Sequence, residues 1–209
     1  MFELYSFSHS SASYRVRIAL ALKGLSWETK PISLLANEHQ SSDYLALNPQ
    51  GRVPAIATSR GLLTQSLAII DWLEETYPAT TSIYPSDPWQ RAQCRAFAHV
   101  IAADIFPLQN LSTRRKIQVA FGADEAAQAQ WCRDWIAKGF AALERETKDR
   151  GWSAIDGYLF GSSPSLAEIC LVPQMNNARR YEVDLSDFPL LVAADAKARL
   201  HPAFISAQA

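Results

Sequence analysis

Phe2-Glu3-Leu4-Tyr5, then His9-Ser10-Ser11-Ala12-Ser13-Tyr14-Arg15-Val16-Arg17, then Ile18-Ala19-Leu20-Ala21-Leu22-Lys23-Gly24: these runs read as a short strand, a loop that opens a helix, and the helix itself, closed by a glycine. Three serines, Ser10, Ser11 and Ser13, therefore sit where a helix begins. The first turn of a helix leaves backbone N–H groups unpaired and carries partial positive charge, so small hydroxyl residues there suit an anion. Capping needs only one of them.

Outward from this stretch the first eighty-odd residues keep alternating strand and helix signals. Trp27 to Ile32 reads as a second strand, placed at an edge by Pro31. Ser42 to Leu47 is a short helix ended by Asn48-Pro49. Gly51 to Ala57 is a strand entered through Val53-Pro54, turned by Thr58-Ser59-Arg60-Gly61 and returned by Leu62-Leu63-Thr64. Gln65-Ser66 opens a helix whose apolar positions Leu67, Ile70, Leu73 and Tyr77 have helical spacing, and Pro78 stops it. The order strand, helix, strand, helix, strand, strand, helix gives a mixed four-stranded sheet of thioredoxin-like arrangement. A redox role does not follow, because this part of the chain has no cysteine and serines occupy the place of a Cys-x-x-Cys.

The remainder reads as helix after helix, so the expected division is an α/β domain over 1–81 and an all-α domain over 88–209, parted near Tyr84-Pro85-Ser86-Asp87-Pro88. Helices are expected from Trp89 to about Ala103, with Pro107 as an interruption, from Leu108 to Phe121, and from an Asp124 cap onward with Trp131, Trp135, Phe140 and Leu143 on the apolar side. A last one runs from Leu190 to Leu200. Ser165-Leu166-Ala167-Glu168 has the form of a capping box, with Pro164 and Ile169 as its staple, and reads as structural.

Composition narrows the function. The chain has 209 residues, 48% of them hydrophobic, and a net charge of −1 with both signs interspersed, so nothing marks a nucleic-acid or anionic-membrane surface. No apolar run is long enough to cross a bilayer and no leader pattern opens the chain, which makes the cytoplasm the simplest address. Cys94, Cys132 and Cys170 read as reduced core thiols, and the four scattered histidines have no metal-binding spacing. There is no GxGxxG, P-loop or GxSxG.

Taken together, Ser10-Ser11-x-Ser13-x-Arg15-Val16-Arg17-Ile18-Ala19-Leu20, Ala46-Leu47-Asn48-Pro49-Gln50, Val53-Pro54, Gln65-Ser66-Leu67-Ala68-Ile69-Ile70, Asp104-Ile105-x-Pro107-Leu108-Gln109-Asn110 and Leu171-Val172-Pro173-Gln174 resemble the zeta class of glutathione transferases, which includes maleylacetoacetate and maleylpyruvate isomerases. The resemblance covers essentially the whole chain. It implies a glutathione-transferase fold, a homodimer, glutathione as cofactor and a small-molecule substrate, with no metal. It also implies a cis Val53-Pro54 bond whose Val53 backbone pairs with the cysteinyl part of glutathione. Gln65 and Ser66 then meet the γ-glutamyl carboxylate, His39 the glycyl carboxylate, and Gln109 and Asn110 line the glutathione and substrate site.

The reaction implied is cis-trans isomerisation of a maleyl keto acid by thiolate addition, bond rotation and elimination, with Ser10 and its neighbour Ser11 holding the thiolate. His9 and Arg180 are the implied substrate-binding residues. Two positions depart from the family pattern: members commonly carry arginine at His9, and bacterial relatives often carry histidine at Phe106. Both thin the positive lining expected for a dicarboxylic substrate. Arg15 and Arg17 are assigned to ion pairs or a subunit interface. The alternatives are a general transferase acting on α-halo acids or other electrophiles, and a non-catalytic module that binds glutathione.

Overall fold

The computed structural model describes residues 1–152 and 157–208. By its internal contacts the chain divides into two units, residues 1–83 together with the segment from His201, and residues 84–200.

In the first unit, strands β1 (Phe2–Ser6), β2 (Trp27–Pro31), β3 (Ala55–Thr58) and β4 (Gly61–Thr64) form one sheet in the order β2-β1-β3-β4. β1 and β2 are parallel, with Leu4 opposite Thr29, and the β1–β3 and β3–β4 pairs are antiparallel. Proline-bearing β2 is at the edge, as the missing N–H requires. Helix α1 (Ser11–Leu22) crosses from β1 to β2 and packs beside α3 (Ser66–Thr76). Helix α2 (Ser42–Leu47) has the bounds its sequence indicates, capped by the Ser41 hydroxyl accepting from the Tyr44 N–H. Every residue of α1 except Ala21 is buried, so this is a helix without a solvent face.

The all-round burial of α1 explains the fate of the last residues. The sequence expectation placed 201–209 with the helical domain, whereas α10 (Pro202–Ser206) lies against α1 in the first unit. The Tyr14 hydroxyl donates to the Phe204 carbonyl at 3.0 Å and Arg17 Nε donates to the Ala207 carbonyl at 2.8 Å. Among the described residues Arg17 forms no ion pair. Its remaining nitrogens donate to Ser6 Oγ and to the Ser8 carbonyl, and burial pushes its pKa below the ordinary arginine value. At the far end of α1, buried Lys23 pairs with Glu74 at 2.7 Å and also donates to Thr80 and to the Thr81 carbonyl.

The second unit holds α4 (Pro88–His99), a π-helical segment (Val100–Ile105), α5 (Phe106–Gln109), α6 (Leu111–Phe121), α7 (Glu125–Asp149), α8 (Leu166–Arg180) and α9 (Pro189–Arg199). The helix expected to reach Ala103 changes pitch at Val100. Pro107 cannot donate back to the preceding turn, and a wider turn takes up the mismatch. The helix expected from Leu108 to Phe121 is broken at Asn110, whose side chain caps α6. The buried side of α7 is Cys132, Ile136, Phe140, Leu143 and Thr147, with Trp131 and Trp135 at its margin rather than at its centre.

The capping box is present and reaches further than its sequence form. Glu168, fully buried, accepts from the Ser165 N–H and Oγ–H and from the Leu159 N–H. Burial pushes its carboxyl above the usual range, and these donors pull it back. The three cysteines are buried thiols, none of them in a disulfide among the described residues. Cys94, desolvated beside Ser165, is pushed up to about 12.

Two outcomes are expected. A β-carbon at Gly139 in α7 meets Ile105 of the π segment at 2.4 Å. Gly139→Ala therefore lowers folding stability by about 1–3 kcal/mol through overpacking, although alanine in a helix ordinarily gains about 1 kcal/mol over glycine. Chemical denaturation reads the sign, and a gain in stability contradicts this packing. Iodoacetamide at about pH 8 leaves all three cysteines of the native protein unmodified and alkylates all three after denaturation, because a buried thiol is rarely a thiolate.

Candidate functional site

Sheet topology decides what comes together in the first unit. β4 runs parallel to β1 and β3 runs against both, so the exit of β1, the entry to β3 and the exit of β4 share one end of the sheet, where Tyr5, Ala55 and Thr64 are in register. Ser10 follows the first of these ends, Val53-Pro54 precedes the second, and Gln65-Ser66 follows the third.

Ser10 is the N-cap of α1, with extended backbone angles (φ −80°, ψ 117°). Its Oγ accepts from the Ser13 N–H at 3.2 Å, which leaves the hydroxyl proton free to donate. Ser11 is the first helical residue and is buried. Ser13 is fully buried, and its Oγ has no hydrogen-bond partner among the described residues. His9 is exposed, with its ring edge-on to Phe7 at 5.6 Å.

The Val53-Pro54 bond is cis. Pro54 is buried, and among the described residues neither the N–H nor the carbonyl of Val53 is hydrogen-bonded, so the strand edge is open there. Gln65 has φ 69° and ψ 115°, a region that residues with a β-carbon rarely occupy. Its side chain does not cap α3 and reaches instead to Gln50, Nε2 to Oε1 at 3.0 Å. Ser66, the first residue of α3, is buried and accepts from Arg15 Nη1 at 3.5 Å. His39 is half-buried in the 3₁₀ turn Glu38–Gln40. Gly51 lets that turn approach, since a β-carbon on it lies 2.8 Å from the His39 carbonyl. A cleft of about 600 Å³ beside β2, lined by Phe7, Ser8, Arg17, Trp27 and Ile32 among others, contains none of these candidate residues.

The second unit treats its candidates differently. Gln109 is buried and tied to buried Gln174 by two amide bonds, Gln109 Nε2 to Gln174 Oε1 at 2.6 Å and Gln174 Nε2 to Gln109 Oε1 at 3.2 Å. Gln109, expected to line the glutathione and substrate site, has its amide engaged with Gln174 here. Asn110 Oδ1 accepts from the Thr113 N–H and the Ser112 hydroxyl, so its first task is the cap. Arg180 ends α8, is exposed, and has its guanidinium 6.0 Å from the centre of the Tyr181 ring. Gln50 and Gln174 escaped the sequence reading. Only a partner far along the chain gives either of them a role.

Residues 9–76 match the family described as glutathione S-transferase, N-terminal domain. A maleylacetoacetate isomerase from Pseudomonas aeruginosa is 44% identical over 205 residues, covering 97% of this chain and 93% of its own. A solved maleylpyruvate isomerase, described as a bacterial glutathione S-transferase of the zeta class, superposes with a TM-score of 0.90 at 43% identity, covering 98% of this chain and 95% of its own. The chain belongs to the zeta class of glutathione transferases. The maleylacetoacetate isomerase of Methylobacterium extorquens AM1, solved with malonate and GSH bound, has a TM-score of 0.93 at 31% identity, covering 99% of this chain and 95% of its own. In this zeta-class chain the open Val53 edge and the start of α3 stand at the same end of the sheet.

Strain of the Gln65 kind costs on the order of 1–3 kcal/mol and is relieved by glycine. Gln65→Gly is expected to raise the denaturation midpoint, whereas Gln65→Ala leaves it unchanged or lower. Equal midpoints for the two variants contradict the strain.

Proposed function

We propose that this zeta-class protein is a glutathione-dependent isomerase that converts the cis double bond of a maleyl keto acid, of the maleylacetoacetate or maleylpyruvate type, to trans. The observation that carries the reading is the Ser10 hydroxyl, which accepts its helix cap at one lone pair and keeps its proton to give.

The residues of the first unit fit glutathione. The unpaired Val53 backbone offers both a donor and an acceptor to a peptide, as a sheet edge does. Gln65 and Ser66 stand at the start of α3, where unpaired N–H groups and the helix dipole favour a carboxylate. His39 is the candidate for the second carboxylate. When bound, glutathione supplies a thiol that adds to the double bond, lets it rotate as a single bond, and is released.

What the chain must do is keep that sulfur ionised. A free thiol has a pKa of about 8.5, and lowering it by ~2 units takes ~2.7 kcal/mol of preference for the anion. The start of α1 contributes typically ~0.3–1 kcal/mol and at best ~2. A Ser10 O–H bond to the charged sulfur adds ~1.5–3 kcal/mol, so the two together reach the required figure and the helix alone does not. Ser11, buried at the first position of α1, is the neighbouring hydroxyl. Charge that develops on the substrate oxygens calls for cationic and hydrogen-bonding groups, and Arg180 and His9 are the candidates. A homodimer and a cytoplasmic address complete the proposal, and sedimentation equilibrium tests the first.

The deciding assay follows maleylpyruvate or maleylacetoacetate turnover with glutathione far below substrate. Isomerisation proceeds to completion with glutathione recovered, whereas conjugation stops when it is consumed. Ser10→Ala retains binding to immobilised glutathione and loses roughly tenfold to a hundredfold in kcat, the value of one charge-assisted hydrogen bond. A variant as fast as the wild type removes Ser10 from the mechanism.

A further inference from the structure

Along β2 the cover over the α1 face of the sheet runs out. Residues in register on neighbouring strands face the same way, and Leu4 and Ser6 of β1 stand opposite Thr29 and Pro31 of β2. Leu4 and Ser6 are buried, whereas Thr29 and Pro31 are exposed. The uncovered strip belongs to the cleft of about 600 Å³ noted above, all of whose lining comes from the first unit. Half-buried Phe7, Trp27 and Ile32 make much of that lining apolar.

Arg17, buried on α1, brings a positive charge to the same cleft. A guanidinium has five N–H donors. Three of those on Arg17 are used, Nε on the Ala207 carbonyl, Nη1 on Ser6 Oγ and Nη2 on the Ser8 carbonyl, which leaves one N–H on each terminal nitrogen without an acceptor among the described residues. Every acceptor it has is neutral. Lys23, buried on the same helix, shows the usual remedy in its pair with Glu74 at 2.7 Å. Glu38 also lines the cleft, but it is exposed, and its Oε2 accepts from the Ser33 N–H at 2.6 Å. A buried charge without a counter-ion costs free energy, and a carboxylate arriving at the remaining N–H groups offsets that cost. Flat apolar walls, a few polar groups and this volume are the features of a small-molecule pocket.

We propose that the cleft beside β2 binds a small aromatic carboxylate, with the acid group on Arg17 and the ring against Trp27, Phe7 and Ile32. None of Ser10, Val53 and Gln65 lines it, so the site is separate from the residues assigned to glutathione and independent of the isomerase reading.

Titration calorimetry of the full chain, with glutathione saturating throughout and ionic strength constant, tests it with phenylacetate, 2-phenylethanol and acetate. Phenylacetate binds wild type. The neutral alcohol and the ringless acid each bind at least about tenfold more weakly, the value of a hydrogen bond to a charged group. Arg17→Gln weakens phenylacetate by a similar factor. Thr29→Trp, at an exposed strand position that suits an aromatic residue, fills the cleft without touching the Arg17 bonds and abolishes binding, so the test stands even where Arg17→Gln fails to fold. Arg180→Gln keeps the wild-type affinity, which separates this cleft from the candidate substrate residues of the second unit. Wild type that binds no phenylacetate, or binds 2-phenylethanol or acetate as tightly, overturns the site. So does affinity that survives Thr29→Trp or is lost in Arg180→Gln.

Discussion

The burial of α1 at every position but Ala21 is the constraint on which the first unit rests. A helix with no solvent face loses free energy for each polar group left without a partner, and α1 carries Tyr14 and Arg17 along its length. Helix α3 packs beside it. Residues returning from the far end of the chain lie against it too, and their Phe204 and Ala207 carbonyls accept from Tyr14 and Arg17. The direction and depth of α1 are thereby fixed from both ends, by Lys23 bound to Glu74 and by Ser10 at its cap. A hydroxyl that must be aimed to within a fraction of an ångström is carried on an element with little freedom to move.

The second unit solves a related problem by burying polar groups in closed pairs. Glu168 takes three donors from Ser165 and Leu159, Asp195 takes Arg179 and Arg199, and Gln109 faces Gln174. The sets reach outward as well, Arg199 to the Val172 carbonyl and Asn176, and Gln174 to Asn177.

Much of this could be read from the chain because the signals are local. The serine run before an apolar helix, the Val-Pro dipeptide before a strand, Gln-Ser before α3 and the Ser-x-x-Glu box all place a residue by neighbours within a few positions. What escaped depends on partners distant in sequence. The π-helical turn exists where Pro107 interrupts a helix and Gly139, more than thirty residues on, leaves room for Ile105. The Gln109–Gln174 pairing escaped because the two residues lie on different helices, and the break at Asn110 because the apolar pattern around it runs on through it. The return of the last residues to α1 has no periodicity to announce it. Tyr14 and Arg17 supply the bonds, and neither residue type names its acceptor.

Helix α6 buries none of its eleven residues. It is held by the Asn110 cap at one end and by Gly122 in a left-handed turn at the other, and it shields little of the interior. Lifting it exposes little new apolar surface, so its local unfolding lies near the inexpensive end of the range found within a single protein. Backbone amides along it therefore trade their protons for solvent deuterons sooner than those of α7 and α8, each of which has a buried side.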